Sequence, residues 1–369
     1  MGATRIIRIG TVKIGGGLPV VLQSMTATRT TDIERTAQTC QRLADAGADV
    51  VRVAVDTLRD AEALREIRKR TNVNLSVDLQ ENYRLAENVA PFVDKIRYNP
   101  GHLHHVEPET VWQTKVERIV QIARHHDCAL RIGVNCGSLD PALKEDSNID
   151  VAVNSALQHA EFIDSLGFDQ FCVSIKSSDP QAVLLANRQF SAKRPDVPIH
   201  LGLTEAGLPP MGIEKSRAAL EPLLAEGIGD TLRVSLTVPN DRKVEEIEAG
   251  RLILQNVASG IVLTDWQPEK LNIISCPSCA RVENEQFVAL AERVRETMQS
   301  MKKDVPLTVA VMGCRVNGPG ETDHADIGLW CGKTAVNLKC GSTLIGSFGY
   351  DEVIEKMLNE ANRLLDGRR

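Results

Sequence analysis

Cys276 and Cys279, two residues apart in CPSC, can ligate one metal ion or two irons of one cluster, because the turn between them brings both sulfurs to one side. A third thiol, Cys314, follows an apolar run in MGCRVNGPGE. The fourth donor is open on the residues alone. Cys331 or Cys340 would complete an all-thiolate zinc or iron–sulfur site, His324 a mixed one, and Glu321 could return to the thiols through the bend of Gly318, Pro319 and Gly320. A carboxylate suits pure electron transfer poorly, since all-cysteine ligation is the rule there. It suits a cluster in which one iron must exchange its ligand for substrate, because a hard oxygen is easily displaced. Spacing does not separate zinc from iron, and a redox-active dithiol is a further reading.

A second set of residues places charge inside predicted strands. Side chains two apart on a strand share a face, so Arg97 and Asn99, Ser174 and Lys176, and Arg233 and Ser235 form pairs, as do Arg131 and Asn135 four apart. The residues between them suit a strand–helix interface, which turns the polar set into a barrel, toward the C-terminal strand ends where barrel enzymes bind substrate. With Arg52 these cations outnumber the plausible inward carboxylates, Asp78 and Glu205. A diphosphate-sized anion is the natural counter-charge, since arginine forks match phosphate oxygens. The plainer reading is that one or two of the arginines pair with carboxylates inside the barrel.

The elements that must position these groups are legible as texture. Eight runs rich in Val, Ile and Leu (21–26, 49–55, 73–80, 94–100, 129–137, 170–178, 198–207 and 230–237) alternate with stretches of helical spacing. In the first such stretch Asp32 is placed to cap a helix and Gly47 to end it. The alternation predicts an α/β fold, a (β/α)8 TIM barrel over 1–258 with residues 4–20 as a hairpin plugging its bottom. A doubly wound open sheet is the runner-up. Residues 259–271 read as a linker, and 272–369 as a small α+β domain with helices at 284–302 and 351–366, strands at 307–314, DIGLWCG and AVNLKCG, and a tight loop at NGPGE.

Composition narrows the class. The 369 residues carry 43 Lys+Arg against 49 Asp+Glu, a net charge of −6, which argues against a general nucleic-acid binder. No window approaches the ~20 apolar residues of a membrane span. The N-terminus has no apolar core of a secretory signal, so the expected compartment is the cytoplasm, where the 9 cysteines stay reduced. Cys40, Cys128, Cys136 and Cys172 fall on predicted core faces and read as packing residues.

Taken together, IRYNPG, LRIGVNCGSL, LGLTEAG, DTLRVSLT, SCPSCAR and VAVMGCRVNGPGE resemble the 4-hydroxy-3-methylbut-2-enyl diphosphate synthase family in its short bacterial form. The resemblance covers essentially the whole chain. It implies reductive ring opening and dehydration of 2-C-methyl-D-erythritol 2,4-cyclodiphosphate on a 4Fe-4S iron–sulfur cluster, in the methylerythritol phosphate route of isoprenoid biosynthesis. Carried onto this chain, the cluster ligands are Cys276, Cys279, Cys314 and Glu321. The diphosphate falls to Arg97, Arg131, Lys176, Arg233 and Ser235 with Arg52 nearby, and Asn99, Asn135 and Asp78 line the same mouth. Glu205 faces the substrate carbons as the expected proton donor, and Asn317 stands near the cluster. Flavodoxin or ferredoxin is the implied electron donor. The family also implies a homodimer in which the barrel of one subunit faces the cluster of the other. Gln80 stands where the family usually has a histidine, His102 where it usually has asparagine, and Cys331 and Cys340 are outside its pattern. The competing classes are a zinc-stabilised barrel transferase of pterin-binding type without a redox role, and a zinc-ribbon module acting on RNA, which the acidic balance disfavours.

Overall fold

In the computed structural model, residues 3–140, 143, 147–264, 271–301, 306–314, 316 and 318–367 are described. The chain opens with the antiparallel hairpin β1 (Ile7–Ile9) and β2 (Val12–Ile14). Ile7, Ile9 and Ile14 pack against Val21, Val50, Ala129 and Cys172 at the strand starts, so the hairpin does stopper the barrel from below.

Eight parallel strands follow: β3 (Val21–Met25), β4 (Val50–Ala54), β5 (Leu75–Leu79), β6 (Lys95–Tyr98), β7 (Ala129–Asn135), β8 (Phe171–Lys176), β9 (His200–Leu201) and β10 (Thr231–Leu232). Their order runs β8-β7-β6-β5-β4-β3-β10-β9, and a parallel bridge from Val173 to Ile199 closes β8 onto β9. The outer ring comprises α1 (Ile33–Asp45), α2 (Leu58–Arg68), the short α3 (Ala86–Val89), α4 (Trp112–His125), α5 (Asn148–Ser165), α6 (Pro180–Lys193), α7 (Met211–Ala225) and α8 (Val244–Ala258). The Asp32 side chain accepts from the Arg35 N–H at the start of α1, and Gly47 takes φ +104° just beyond its end, as the residue types require.

Strand alternation sorts the barrel. Ile96, Tyr98, Leu130, Ile132, Val173 and Ile175 turn outward into the core shared with the helices, each contributing about 1.5–3 kcal/mol of apolar burial. Arg97, Arg131, Ser174 and Lys176 turn inward, buried in the mouth. Two strands are shorter than their apolar runs. Beyond Leu201 and Leu232 the backbone leaves the ladder: Glu205 adopts φ +48° and Gly207 φ +94°, while Thr237 N–H bonds Gly207 O at 3.0 Å. The chain gives up regular pairing where it must aim side chains at the mouth.

The second sheet runs β11 (Leu271–Ser275), β12 (Leu307–Met312), β13 (Ile327–Cys331), β14 (Val336–Cys340) and β15 (Thr343–Phe348), in that order. Its first three strands are parallel and its last two antiparallel. Helices α9 (Gln286–Ser300) and α11 (Val353–Gly367) bury Phe287, Val294, Met357 and Ala361 against it. NGPGE, expected as a loop, instead enters α10 (Gly318–His324), where Thr322 Oγ1 donates back to Gly318 O at 2.7 Å. Strand β15 was not foreseen either. Its side chains are largely exposed, which removes the alternation that would announce it. The expected linker is described only through Thr264.

This second unit sits on the C-terminal face of its own barrel. Ala206 and Ser275 form a parallel bridge, Thr237 Oγ1 donates to Cys276 O at 3.0 Å, and Lys215 Nζ donates to Ile273 O at 3.1 Å. No helix among the described residues is long and apolar enough to cross a membrane.

Candidate active site

A cleft lies between the barrel mouth and the second unit. Among the described residues, Arg52, Arg97, Arg131, Lys176, Arg233 and Arg281 line it against two carboxylates, Asp78 and Glu205, and Cys276, Cys279 and Cys314 close its far side. Asn135, Ser174, Ser235 and Gln80 complete its polar wall.

Each cation is held differently. Arg97 Nη1 donates to Asp78 Oδ1 at 2.7 Å and to Gln80 Oε1, and Nη2 donates to Gly133 O at 2.8 Å. A side chain at position 133 would overlap Arg97 Nε, and one at 202 would overlap Lys176 Nζ. Glycine at these two positions, one within β7 and one just past β9, is what lets the cations lie across the barrel. Arg131 Nη1 donates to Ser174 Oγ at 2.6 Å, while its Nε and Nη2 are buried without a partner among the described residues. Arg233 approaches Glu246 on α8 at 3.4 Å, and its Nε is likewise unpartnered among them. Arg52 leans on Met25 Sδ at 2.9 Å and stands 4.0 Å from Asp78.

Burial sets the electrostatics. Burial pushes the Lys176 ammonium well below its usual range, and Arg131, Arg52, Arg233 and Arg97 push it further. Burial would raise the Asp78 carboxyl, but the guanidiniums of Arg97, Arg52 and Arg281 hold it well below the usual carboxylate range. A buried guanidinium left partly unpaired costs on the order of several kcal/mol in desolvation. The cup is therefore built to receive an anion.

The thiols lie just past the C-terminal ends of the adjacent parallel strands β11 and β12, with Cys276 next after Ser275 and Cys314 two beyond Met312. Gly313 N–H donates to Cys276 Sγ at 3.3 Å. A hydrogen bond with Cys314, then the charge of Arg281, pulls the Cys279 thiol down to about 6, while burial pushes Cys276 up to about 12. Among the described residues the three sulfurs are not gathered within 4.8 Å of one another, as ligands of one ion would be; the side chains that are, Glu81, His102 and His105, lie on the barrel rim. Three thiols at adjacent strand ends, two of them hydrogen-bonded to each other, are a donor set that suits a thiolate-bound metal or an iron–sulfur cluster.

Glu321 is buried in α10, where its Oε2 accepts from Ser178 Oγ at 3.1 Å. Burial and then the neighbouring Glu205 push its carboxyl up to about 8. It faces the barrel loops at Ser178 and Gly137 and is not part of the cleft wall that the three thiols form. Asn99 also stays out of the cleft wall: its Oδ1 accepts from Gly101 N–H at 3.2 Å and caps the turn Pro100–His105. Asn317 lies outside the described residues. Of the residues expected to pack, Cys40, Cys128 and Cys172 are buried, whereas Cys136 is only partly so and lies beside Glu321.

Sequence reasoning missed Arg281, Ser178 and Glu246. Arg281 had a signal, being the cation of the SCPSCAR run. Glu246 had none, since helical spacing does not say which first-turn carboxylate will reach a neighbouring strand end. The cup and the thiols also belong to one chain here, joined by Arg281 to Asp56 and Asp78 and by Ser178 to Glu321, whereas the resemblance implies that a partner supplies the thiols.

Fold and site together define a class: a parallel (β/α)8 barrel with a cationic mouth, capped by a cysteine-bearing α+β unit. The GcpE TIM-barrel domain matches residues 4–251 and the GcpE protein C-terminal domain residues 272–363, and the chain belongs to the GcpE family. It is 55% identical over 372 residues to a protein of Rhodopirellula baltica named 4-hydroxy-3-methylbut-2-en-1-yl diphosphate synthase (flavodoxin), covering 99% of this chain and 97% of that one. A Symbiobacterium thermophilum protein of the same name is 40% identical over 359 residues, covering 96% and 91%. Among solved structures, Yersinia pestis dihydropteroate synthase aligns with 69% of this chain and 98% of its own at 13% identity and a TM-score of 0.49.

Proposed function

We propose that this chain is an oxidoreductase of the methylerythritol phosphate route, converting 2-C-methyl-D-erythritol 2,4-cyclodiphosphate to 4-hydroxy-3-methylbut-2-enyl diphosphate with electrons from flavodoxin. The observation that carries the reading is the pairing of six cations and three thiols in one cleft. The relatives' printed names point the same way, and a zinc-stabilised pterin-type transferase is not favoured.

Cys276, Cys279 and Cys314 would hold a 4Fe-4S cluster, with Glu321 as the proposed replaceable fourth donor. When bound, that group supplies electrons singly and a Lewis-acidic iron. The rest falls to the chain's own side chains. Arg131, Lys176, Arg97, Arg233 and Arg52, with Ser235 and Asn135, grip the diphosphate and so orient the C–O bond that breaks. Glu205, which lines the cleft, is the carboxyl that would pass a proton to the departing oxygen. The resemblance further supports a homodimer; a partner's copy of the C-terminal unit would make the contacts that are met here within one chain.

The test is anaerobic reconstitution with iron and sulfide, followed by turnover of the cyclic diphosphate with reduced flavodoxin. Brown protein with about four irons and four acid-labile sulfides per chain is expected. Colourless protein holding one zinc, inert toward the substrate, would overturn the proposal.

A further inference from the structure

The loops that follow the adjacent parallel strands β5 and β6 meet on the barrel rim, where Gln80 borders the cleft. Glu81 stands two residues past the end of β5, and His102 and His105 belong to the turn Pro100–His105 that follows β6. That turn is a 3-10 helix, in which side chains three apart eclipse one another. The two imidazoles therefore emerge on one side, with ring centroids 4.7 Å apart. Asn99 and Pro100 set the turn, the first by accepting from Gly101 N–H and the second by its fixed φ. The ligand atoms of Glu81, His102 and His105 all lie within 4.8 Å of one another, and no other such group occurs among the described residues. The ring of His104 meets that of His105 edge-on at 4.2 Å, and its Nδ1 is buried without a partner among the described residues. The Gln80 amide holds the His102 ring, with Nε2 3.3 Å from His102 Nδ1.

We propose that Glu81, His102 and His105 form a binding site for one divalent transition cation, zinc being the ion that its donors fit. Two imidazoles and a carboxylate are a zinc donor set that leaves a fourth position for water or for His104. Magnesium and calcium call for oxygen donors instead. The carboxylate offsets half of the ion's charge. The remainder is borne at the rim, where Glu81 is half-buried and His105 exposed, so no bare charge is carried into the core. The ion's role is structural: it ties the loop after β5 to the turn after β6 at the edge of the cleft. The site shares no residue with the three thiols, and it does not depend on the activity proposed above.

The test is equilibrium dialysis of the full-length, cluster-loaded protein against zinc chloride, with the thiols already occupied. Should no cluster load, the Cys276→Ser/Cys279→Ser/Cys314→Ser chain takes its place, so that thiols do not compete for the ion. About one zinc ion binds per chain, and X-ray absorption at the zinc edge shows nitrogen and oxygen neighbours at about 2.0–2.2 Å with no sulfur at about 2.3 Å. His105→Ala, a change at an exposed position, and Glu81→Ala each weaken zinc binding by about 100-fold or more, beyond the 10–100-fold typical of outer-shell partners. Sulfur in the zinc shell overturns the site, as does equal zinc affinity in the wild type, His105→Ala and Glu81→Ala. A wild-type protein that binds no zinc overturns it too, leaving the three side chains a polar cluster only. Each of these results leaves the proposed function standing, since that reading fails on cluster uptake and turnover, not on zinc.

Discussion

Both halves of the molecule turn their chemistry toward the C-terminal face of parallel strands, yet they do so with opposite means. In the barrel, Arg97, Arg131 and Lys176 sit within strands, locked by ladder hydrogen bonds and by apolar neighbours facing the helices. In the C-terminal unit, Cys276, Cys279 and Cys314 sit on the segments that follow β11 and β12. A rigid frame suits a cup of like charges, whose mutual repulsion would otherwise splay it. Donors on loops suit a site whose geometry is completed by the group it holds, because ligand binding then supplies the ordering energy.

The sharpest way to break this contrast is to remove a thiol. Cys276→Ser or Cys314→Ser should lose iron and cut turnover by about 10³-fold or more, exceeding the loss typical of outer-shell partners, while circular dichroism stays that of the folded barrel. Iron content, absorbance and turnover measured together decide it; retained colour with full activity would remove the thiols from the site. Removing a strand-borne cation should act on binding instead. Arg131→Ala should lower kcat/KM by about 10²–10³-fold, mainly through KM, the range for truncating a buried charged contact. Unchanged substrate affinity would place the anion elsewhere.

Mixing those two variants tests how the halves meet. With the partner-shared site proposed above, combining Arg131→Ala and Cys314→Ser proteins should recover about a quarter of wild-type activity, the yield of one intact site in half the mixed dimers. No recovery would assign the thiols to the same chain's cup. Glu321→Gln tests the boundary between the halves: kcat should fall about 10²-fold with KM little changed, consistent with loss of a proton-handling or exchangeable oxygen. A Glu321→Gln enzyme with wild-type kcat would remove the carboxylate from the chemistry.

The smallest effect concerns the barrel frame. His159 on α5 is buried, stacked on Trp112 and 3.0 Å from the Tyr98 hydroxyl, and burial lowers its pKa from 6.5 to about 3. The folded state therefore prefers the neutral ring. Its contribution is whole above pH 6.5 and is lost progressively as pH falls toward 3, because the unfolded chain binds the proton first. Between pH 7 and pH 5.5 this amounts to about 1 kcal/mol. Denaturant melts should show a pH slope over that window that flattens in His159→Phe; an unchanged slope would assign the dependence to other groups.

Much of this was readable from residue order, and the reason differs by region. Period-2 alternation names the inward face of a strand, so Arg97, Arg131, Lys176 and Arg233 could be assigned to the mouth with no structure at hand. The CPSC and MGC motifs likewise named the thiols, because ligand spacing is local. Helical spacing, by contrast, names a buried stripe without saying what the stripe meets. Glu246 was invisible for that reason, and Asn99, on the right face by alternation, was diverted into capping the next turn.

By itself, then, the order of residues determined the barrel, its polar interior and the three thiols, since each follows from short-range periodicity or spacing. Only the tertiary structure decided that Asp78 is shared between Arg97 and Arg281, that Glu321 turns to Ser178, and that thiols and cations line one cleft. Those are contacts between groups far apart along the chain. Charge pairing in a buried setting is settled by which partners packing brings within a few ångströms, and no local pattern encodes that distance.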